Sequence, residues 1–230
     1  GFCLVGSEMC IRDSYMTLSG TSQATAIASG VAGLTREFIR EQVGVSSPSS
    51  SLVKAALING ARDLGTPDIP NAAEGWGEVN LERTVLPMDG TTALDTFMDD
   101  KKLLSPGFGL LYSFSLDPSH GLDITLAWTD EPGSAIAPQS EARLVNNLDL
   151  VLVGPDGTEW LGNDFSQGFT TTGGTADDVN NVERIRVAPG VLPAGSADYV
   201  LKVLHRGGTE QDFALVMSAV ATPTPQPDLA

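Results

Sequence analysis

The chain has 230 residues, a formal net charge of −16, 41% apolar residues and 25 glycines. That length suits one large domain or two ordinary ones, and the apolar share supports a packed core rather than global disorder. The acidic balance excludes nucleic-acid binding, which needs a basic patch, and no apolar run approaches the roughly 20 residues of a membrane-spanning helix.

Residues 1–14 hold both cysteines, in Cys3-Leu-Val-Gly-Ser-Glu-Met-Cys10-Ile-Arg-Asp13. This stretch has no apolar period and no cap signal. It resembles the translation of a sequencing adapter joined in frame to a gene fragment, and it is set aside from the fold reading. The rest of the chain then has no cysteine, so disulfide and thiol chemistry are not expected. The natural N-terminus, with any signal peptide, is expected to lie outside this sequence.

From Tyr15 to about Pro87 the pattern is helical. Ser22 to Gln42 is rich in Ala, with Ala26, Ile27, Gly30, Val31 and Leu34 at helical spacing. Gly30 and Gly33 weaken an isolated helix, so the pattern predicts a buried central helix packed closely against other backbone. A second helix is predicted from Ser47-Pro48, with Ser47 as cap, through Leu52, Val53, Ala56, Leu57 and Ile58 to Gly60. From about Asp89 the period changes to two. Strands are predicted over 110–116, 122–128, 148–153, 182–187, 199–204 and 213–217. Turn signals such as Pro155-Asp-Gly157, Gly173-Gly174 and Gly207-Gly208 separate them. Several short strands without helices between them predict a β-sandwich or jelly roll. Thr222-Pro-Thr-Pro-Gln-Pro227 reads as an extended linker or frayed end.

The sharpest motif is Leu18-Ser-Gly20-Thr21-Ser22-Gln-Ala-Thr25, running into Ala26-Ile-Ala-Ser-Gly30-Val-Ala-Gly33. A serine at a helix start has free backbone N–H groups around it and the positive end of the helix dipole behind it. Both favour the oxyanion formed when a serine attacks a carbonyl. Read alone, Gly-Thr-Ser is equally the N-cap of an Ala-rich helix. The full string resembles the serine signature of the subtilisin-like peptidases, with Ala26 where that family usually has proline. Val53-Lys-Ala-Ala-Leu-Ile-Asn59-Gly-Ala-Arg-Asp63 and Gly75-Trp76-Gly77-Glu-Val-Asn80 resemble the family's following helix and closing turn, with Trp76 and Asn80 read as structural. The resemblance implies Ser22 as nucleophile, with Gly20, Thr21 and Ser22 lining the substrate and oxyanion side. It also implies polypeptide substrates, extracellular location and no cofactor for the chemistry. The family's Asp, His and oxyanion Asn precede the Ser, so they are expected upstream of Tyr15. His120 and His205 lie downstream and are not assigned to catalysis, and the fragment alone is expected to be inactive.

The later region resembles the β-barrel or jelly-roll domain that follows the catalytic domain in certain alkaline, oxidation-resistant subtilisin-like proteases, some of which bind calcium. Asp130, Asn147, Asp149, Asn163, Asp164 and Glu183 carry the hard oxygens that calcium takes. The same residues also suit solvated loops and Asx turns. The fold class is therefore an α/β fragment, the C-terminal helices of a subtilisin-like three-layer domain, followed by an all-β jelly-roll or sandwich domain. The divisions are 1–14 (adapter-like), 15–88 (peptidase part), 89–221 (β domain) and 222–230 (Pro-rich tail). The β domain is expected to fold on its own and residues 15–87 to be poorly held. Two rivals are a non-catalytic binding module and an α/β-hydrolase built on Gly20-Thr-Ser22-Gln-Ala24. The hydrolase would need strands alternating with helices after the serine.

Overall fold

The computed structural model describes residues 19–65, 69–136, 143–193 and 198–220, and the backbone of 224–229. The adapter-like stretch and Tyr15 to Leu18 lie outside the described residues.

The first helix, α1, runs over Thr21–Phe38 and continues as a π-helical turn, Ile39–Val43, closed by Gly44 at φ 86°. The expectation of burial fails here. Ile27 and Leu34 are 62% and 52% exposed, and a Cβ added at Gly30 or Gly33 would meet nothing within 4 Å. Full burial is reached only near the C-terminal end, at Thr35 and Ile39. Small residues permit close packing, but among the described residues no backbone lies against this face.

The second helix, α2 (Ser50–Asn59), starts two residues later than Ser47-Pro48 suggests. Ser49 is the cap, its Oγ accepting from the Leu52 N–H at 2.9 Å. That hydroxyl also donates to Asp100 Oδ1 at 2.5 Å, which ties the helix start to the β region. Gly60 ends α2 in a right-handed conformation. A Cβ there would sit 2.7 Å from the Thr84 backbone nitrogen, so the residue must be small for close approach. Thr84 lies on a short third helix, α3 (Leu81–Val85), capped by Asn80 through its Oδ1 and the Arg83 N–H.

Beyond a small hairpin of β1 (Met88–Asp89) and β2 (Thr92–Ala93), the strands are β3 (Asp95–Leu104), β4 (Gly109–Ser115), β5 (Leu122–Ala127) and β6 (Asn147–Val153). They continue as β7 (Glu159–Ser166), β8 (Phe169–Thr172), β9 (Val182–Val187), β10 (Asp198–Gly207), β11 (Gln211–Ala219) and β12 (Thr224–Leu229). They form a six-stranded sheet, β12-β4-β10-β6-β7-β8, and a four-stranded sheet, β3-β11-β5-β9, with all pairs antiparallel. Tyr112, Leu150, Tyr199 and Leu201 of the first sheet share one buried core with Ile124, Leu126, Ile185, Phe213 and Leu215 of the second. The region from Asp95 is thus a sandwich of two sheets.

β3 escapes the alternation rule because Asp99, Asp100, Lys101 and Lys102 interrupt it. It is an edge strand paired only with β11, and charge there blocks pairing with another chain. The Pro-rich tail contributes β12, whose backbone pairs with β4 at one edge of the six-stranded sheet, where proline is tolerated.

Packing runs across the division expected near residues 88 and 89. The outer face of the four-stranded sheet receives α2: Leu52, Ala55, Ala56 and Ile58 form a second core with Ala127, Val182, Ala214 and Val216. Beside it lies a buried polar strip. Asn59 Nδ2 donates to Ser218 Oγ at 2.9 Å, the Thr125 hydroxyl donates to Asn59 Oδ1 at 3.0 Å, and Arg184 Nη2 donates to Asn59 O at 3.1 Å. The Ser51 and Thr129 hydroxyls share a hydrogen bond of 3.0 Å.

Candidate active site and acidic cluster

Ser22 is the second residue of α1 and is exposed. The first α-helical hydrogen bond there is Ala24 N–H to Gly20 O at 3.2 Å, so the N–H groups of Thr21, Ser22 and Gln23 precede the ladder. Gly20 has φ 154° and ψ 165°, backbone space that residues with a side chain avoid, and an added Cβ would sit 2.9 Å from Gln23 Oε1. No side chain caps the helix. The plain N-cap reading of Ser22 therefore does not hold, because Gly20 occupies the cap and the Ser22 hydroxyl is inside the first turn. The Thr25 hydroxyl is taken up by Thr21 O at 2.8 Å. An open groove of about 560 Å³ runs beside the helix, lined by Ala24, Ile27, Ala28, Leu64, Gly77 and Val79.

Neither histidine is hydrogen-bonded to Ser22. His120 Nδ1 lies 3.2 Å from Asp89 Oδ2, and buried His205 places Nε2 2.6 Å from Thr209 O. With antiparallel sheets following the serine, the α/β-hydrolase arrangement is not formed. Among the described residues no helix is long and apolar enough to cross a membrane.

The six oxygen-bearing residues named from sequence divide into two sets. Asp130 is a loop clamp, its carboxylate accepting from the Val145 and Asn146 N–H groups at 2.7 and 2.9 Å. Asn163, at φ 63°, is also fully engaged. Its Nδ2 donates to Asp177 Oδ2 and Val182 O, and its Oδ1 accepts from the Arg184 N–H. The other four each keep a buried oxygen without a partner: Asn147 Oδ1, Asp149 Oδ1, Asp164 Oδ2 and Glu183 Oε1. Asp149 Oδ2 pairs with Arg206 Nε at 2.5 Å, and Glu183 Oε2 accepts from the Leu150 N–H at 2.6 Å. Gly162 leaves room for Glu183, since a Cβ there would lie 2.3 Å from Oε2. Burial, with Asp149 and Asp177 adding, pushes the Glu183 carboxyl well above the usual carboxylate range against the Leu150 N–H and Arg206.

Asp177 belongs to this neighbourhood and was not picked out from sequence. Burial pushes its carboxyl up, but donors from Asn163, Asn180 and the Val179 and Asn180 N–H groups outweigh that and hold it low. The run Asp177-Asp-Val-Asn-Asn181 was the signal available. Carboxylate and amide oxygens are of the kind a hard cation takes. However, no three His, Cys, Asp or Glu side chains among the described residues converge on one point.

Comparison with known proteins bears on the serine. Residues 3–77 match the model of the subtilase family (Peptidase_S8). The match includes Ser22, ends inside the Gly75-Trp76-Gly77 turn, and begins within the first 14 residues set aside above. The chain is 35% identical over 201 residues to the serine protease/ABC transporter B family protein tagA of Dictyostelium discoideum, a match covering 80% of this chain and 11% of that protein. It is 26% identical over 233 residues to the serine protease/ABC transporter B family protein tagB of the same organism, covering 77% of this chain and 12% of that protein. The chain thus spans about a tenth of the length of these relatives. A crystal structure from Sulfurospirillum deleyianum aligns with 54% of this chain and 97% of its own at 7% identity, but its TM-score of 0.27 carries no fold argument.

Proposed function

We propose that this chain is part of a subtilisin-like serine endopeptidase with Ser22 as nucleophile, acting on extracellular polypeptides. One observation carries the reading: within a subtilase-matched segment, Ser22 stands exposed in the first turn of a helix whose opening N–H groups are free of the helix ladder. In this mechanism Ser22 Oγ attacks the scissile carbonyl carbon, and its proton passes to a histidine from outside this chain. The carbonyl oxygen becomes an oxyanion facing the Ser22 N–H and an asparagine, also from outside. Collapse breaks the C–N bond, and the histidine returns the proton to the leaving amine. Water then hydrolyses the acyl-enzyme by the same steps. Gly20 lets substrate backbone come close, and Thr21 lines the same side.

The test is a fluorophosphonate probe on the longer natural protein. The label is expected on the peptide containing Ser22, and Ser22→Ala is expected to lower kcat by about 10⁶-fold. The 230-residue chain alone is expected to cleave no peptide substrate. Label on another residue, or turnover that survives Ser22→Ala, refutes the assignment.

The orphaned oxygens favour a second, structural reading: the β sandwich takes calcium through Asp149, Glu183, Asn147 and Asp164. Asp130 and Asn163 then support the surrounding loops, and the ion has no part in peptide hydrolysis. Melting temperature should rise with calcium and fall with chelator, and Asp149→Ala should blunt the difference. Indifference to chelator, with no calcium in the purified protein, refutes it.

A further inference from the structure

The four-stranded sheet carries an unexpected concentration of positive charge. The whole chain has 29 acidic side chains against 13 basic ones. Yet where Arg83 of α3 reaches Asp123 of β5, next to the paired strand β9, three arginines gather around one carboxylate. Arg184 Nη2 is 2.9 Å from Asp123 Oδ1, Arg186 Nε is 3.6 Å from the same atom, and Arg83 Nη2 is 3.8 Å from Asp123 Oδ2. Asp63 lies across Gly168 and forms no ion pair with these arginines among the described residues.

Arg184 is fully buried, and its Nε and Nη1 atoms have no hydrogen-bond partner. Its Nη2 is spent on Asp123 and on Asn59 O. A buried guanidinium with idle donors is costly, and repulsion from two more cations makes it costlier. Arg186 has its ring-facing side against Phe169, 4.9 Å from the centroid, and Nη1 only loosely placed, 3.5 Å from Gly168 O. Arg83 is a third exposed and its contact with Asp123 is long. Both outer arginines can therefore turn toward a second acceptor without breaking a good hydrogen bond. Guanidinium forks match the paired oxygens of carboxylates and phosphates.

We propose that Arg83 of α3 and Arg184 and Arg186 of β9 form a binding site for a small oxyanion beside Asp123 of β5. Its chemistry admits inorganic phosphate or a free carboxylate. The site is independent of the peptidase reading. Because Arg184 also holds the C-terminal end of α2 through Asn59 O, the anion fastens helix to sheet.

The experiment is thermal melting of the chain while sodium phosphate or sodium acetate is titrated at constant ionic strength, with sodium chloride as the matched control. One of the two oxyanions is expected to give a saturating rise, about 3–6 °C at ten times its dissociation constant. Phosphate alone responding identifies the phosphate source, acetate alone the carboxylate source. The double variant Arg83→Gln/Arg186→Gln, which leaves buried Arg184 in place, is expected to melt cooperatively and lose the response. No rise with either anion overturns the proposal, as does a rise kept in the double variant. An equal, unsaturating rise with chloride also overturns it, because that is mere screening of the arginines. Should the double variant fail to fold, titration calorimetry of the unaltered chain decides: one saturable site supports the proposal, and no saturable heat overturns it.

Discussion

Replacing Asn59 by alanine is the most direct probe of how the helical segment is held. Asn59 is 6% exposed and joins α2 to two strands, through Ser218 on β11 and Thr125 on β5. Asn59→Ala leaves those two hydroxyls without their partner, at sites 4% and 0% exposed. Each buried, unpartnered hydroxyl costs about 1–3 kcal/mol, reduced where it can rotate to another acceptor, so the loss should be about 2–4 kcal/mol. For a domain of this size that lowers the melting temperature by about 4–16 °C. The assay is thermal unfolding followed by far-UV circular dichroism, with denaturant titration to test for a single transition. Leu34→Ala, at a 52% exposed position on α1, is the control and should change stability by less than about 0.5 kcal/mol. The triple variant Asn59→Ala/Thr125→Val/Ser218→Ala removes all the stranded groups, so it should lose less than the sum of the separate losses. Asn59→Ala within about 0.5 kcal/mol of the parent, or strict additivity in the triple variant, would refute the buried strip as the fastening between α2 and the sheet.

Glu183 makes stability depend on pH. Its folded-state pKa is raised above the unfolded one, so the folded chain holds the proton longer. Stability is then full below the unfolded value of about 4.3 and falls as pH rises through the raised folded value. In chelator, Glu183→Gln should therefore gain on the parent as pH rises above about 4; a difference that does not change with pH refutes the assignment. Gly60→Ala should cost about 1–3 kcal/mol of stability, seen as a lower denaturant midpoint, because its Cβ meets the Thr84 backbone; a stability gain, as at an open glycine, would contradict the close approach.

The sequence by itself determined the local elements. Helical spacing marked α1 and α2, period-two alternation marked β4, β5, β6, β9, β10 and β11, and the string around Ser22 was specific enough to single out one serine. These signals are local, because a side chain's face follows from its place in the repeat. Elements that break their repeat were not legible. Charges interrupt β3, Gly162 and Asn163 bend β7, and prolines disguise β12, so their strand character depends on the neighbours that pair with them. The same holds for the sites. Sequence named six oxygen-bearing residues as equals, and only the fold separates Asp130 and Asn163, whose bonds are complete, from the four with orphaned buried oxygens. The seam under α2 and the gathering of Arg83, Arg184 and Arg186 on Asp123 join residues far apart in the chain. Such contacts arise when one sheet face is buried by a helix, and no local periodicity encodes which helix that will be.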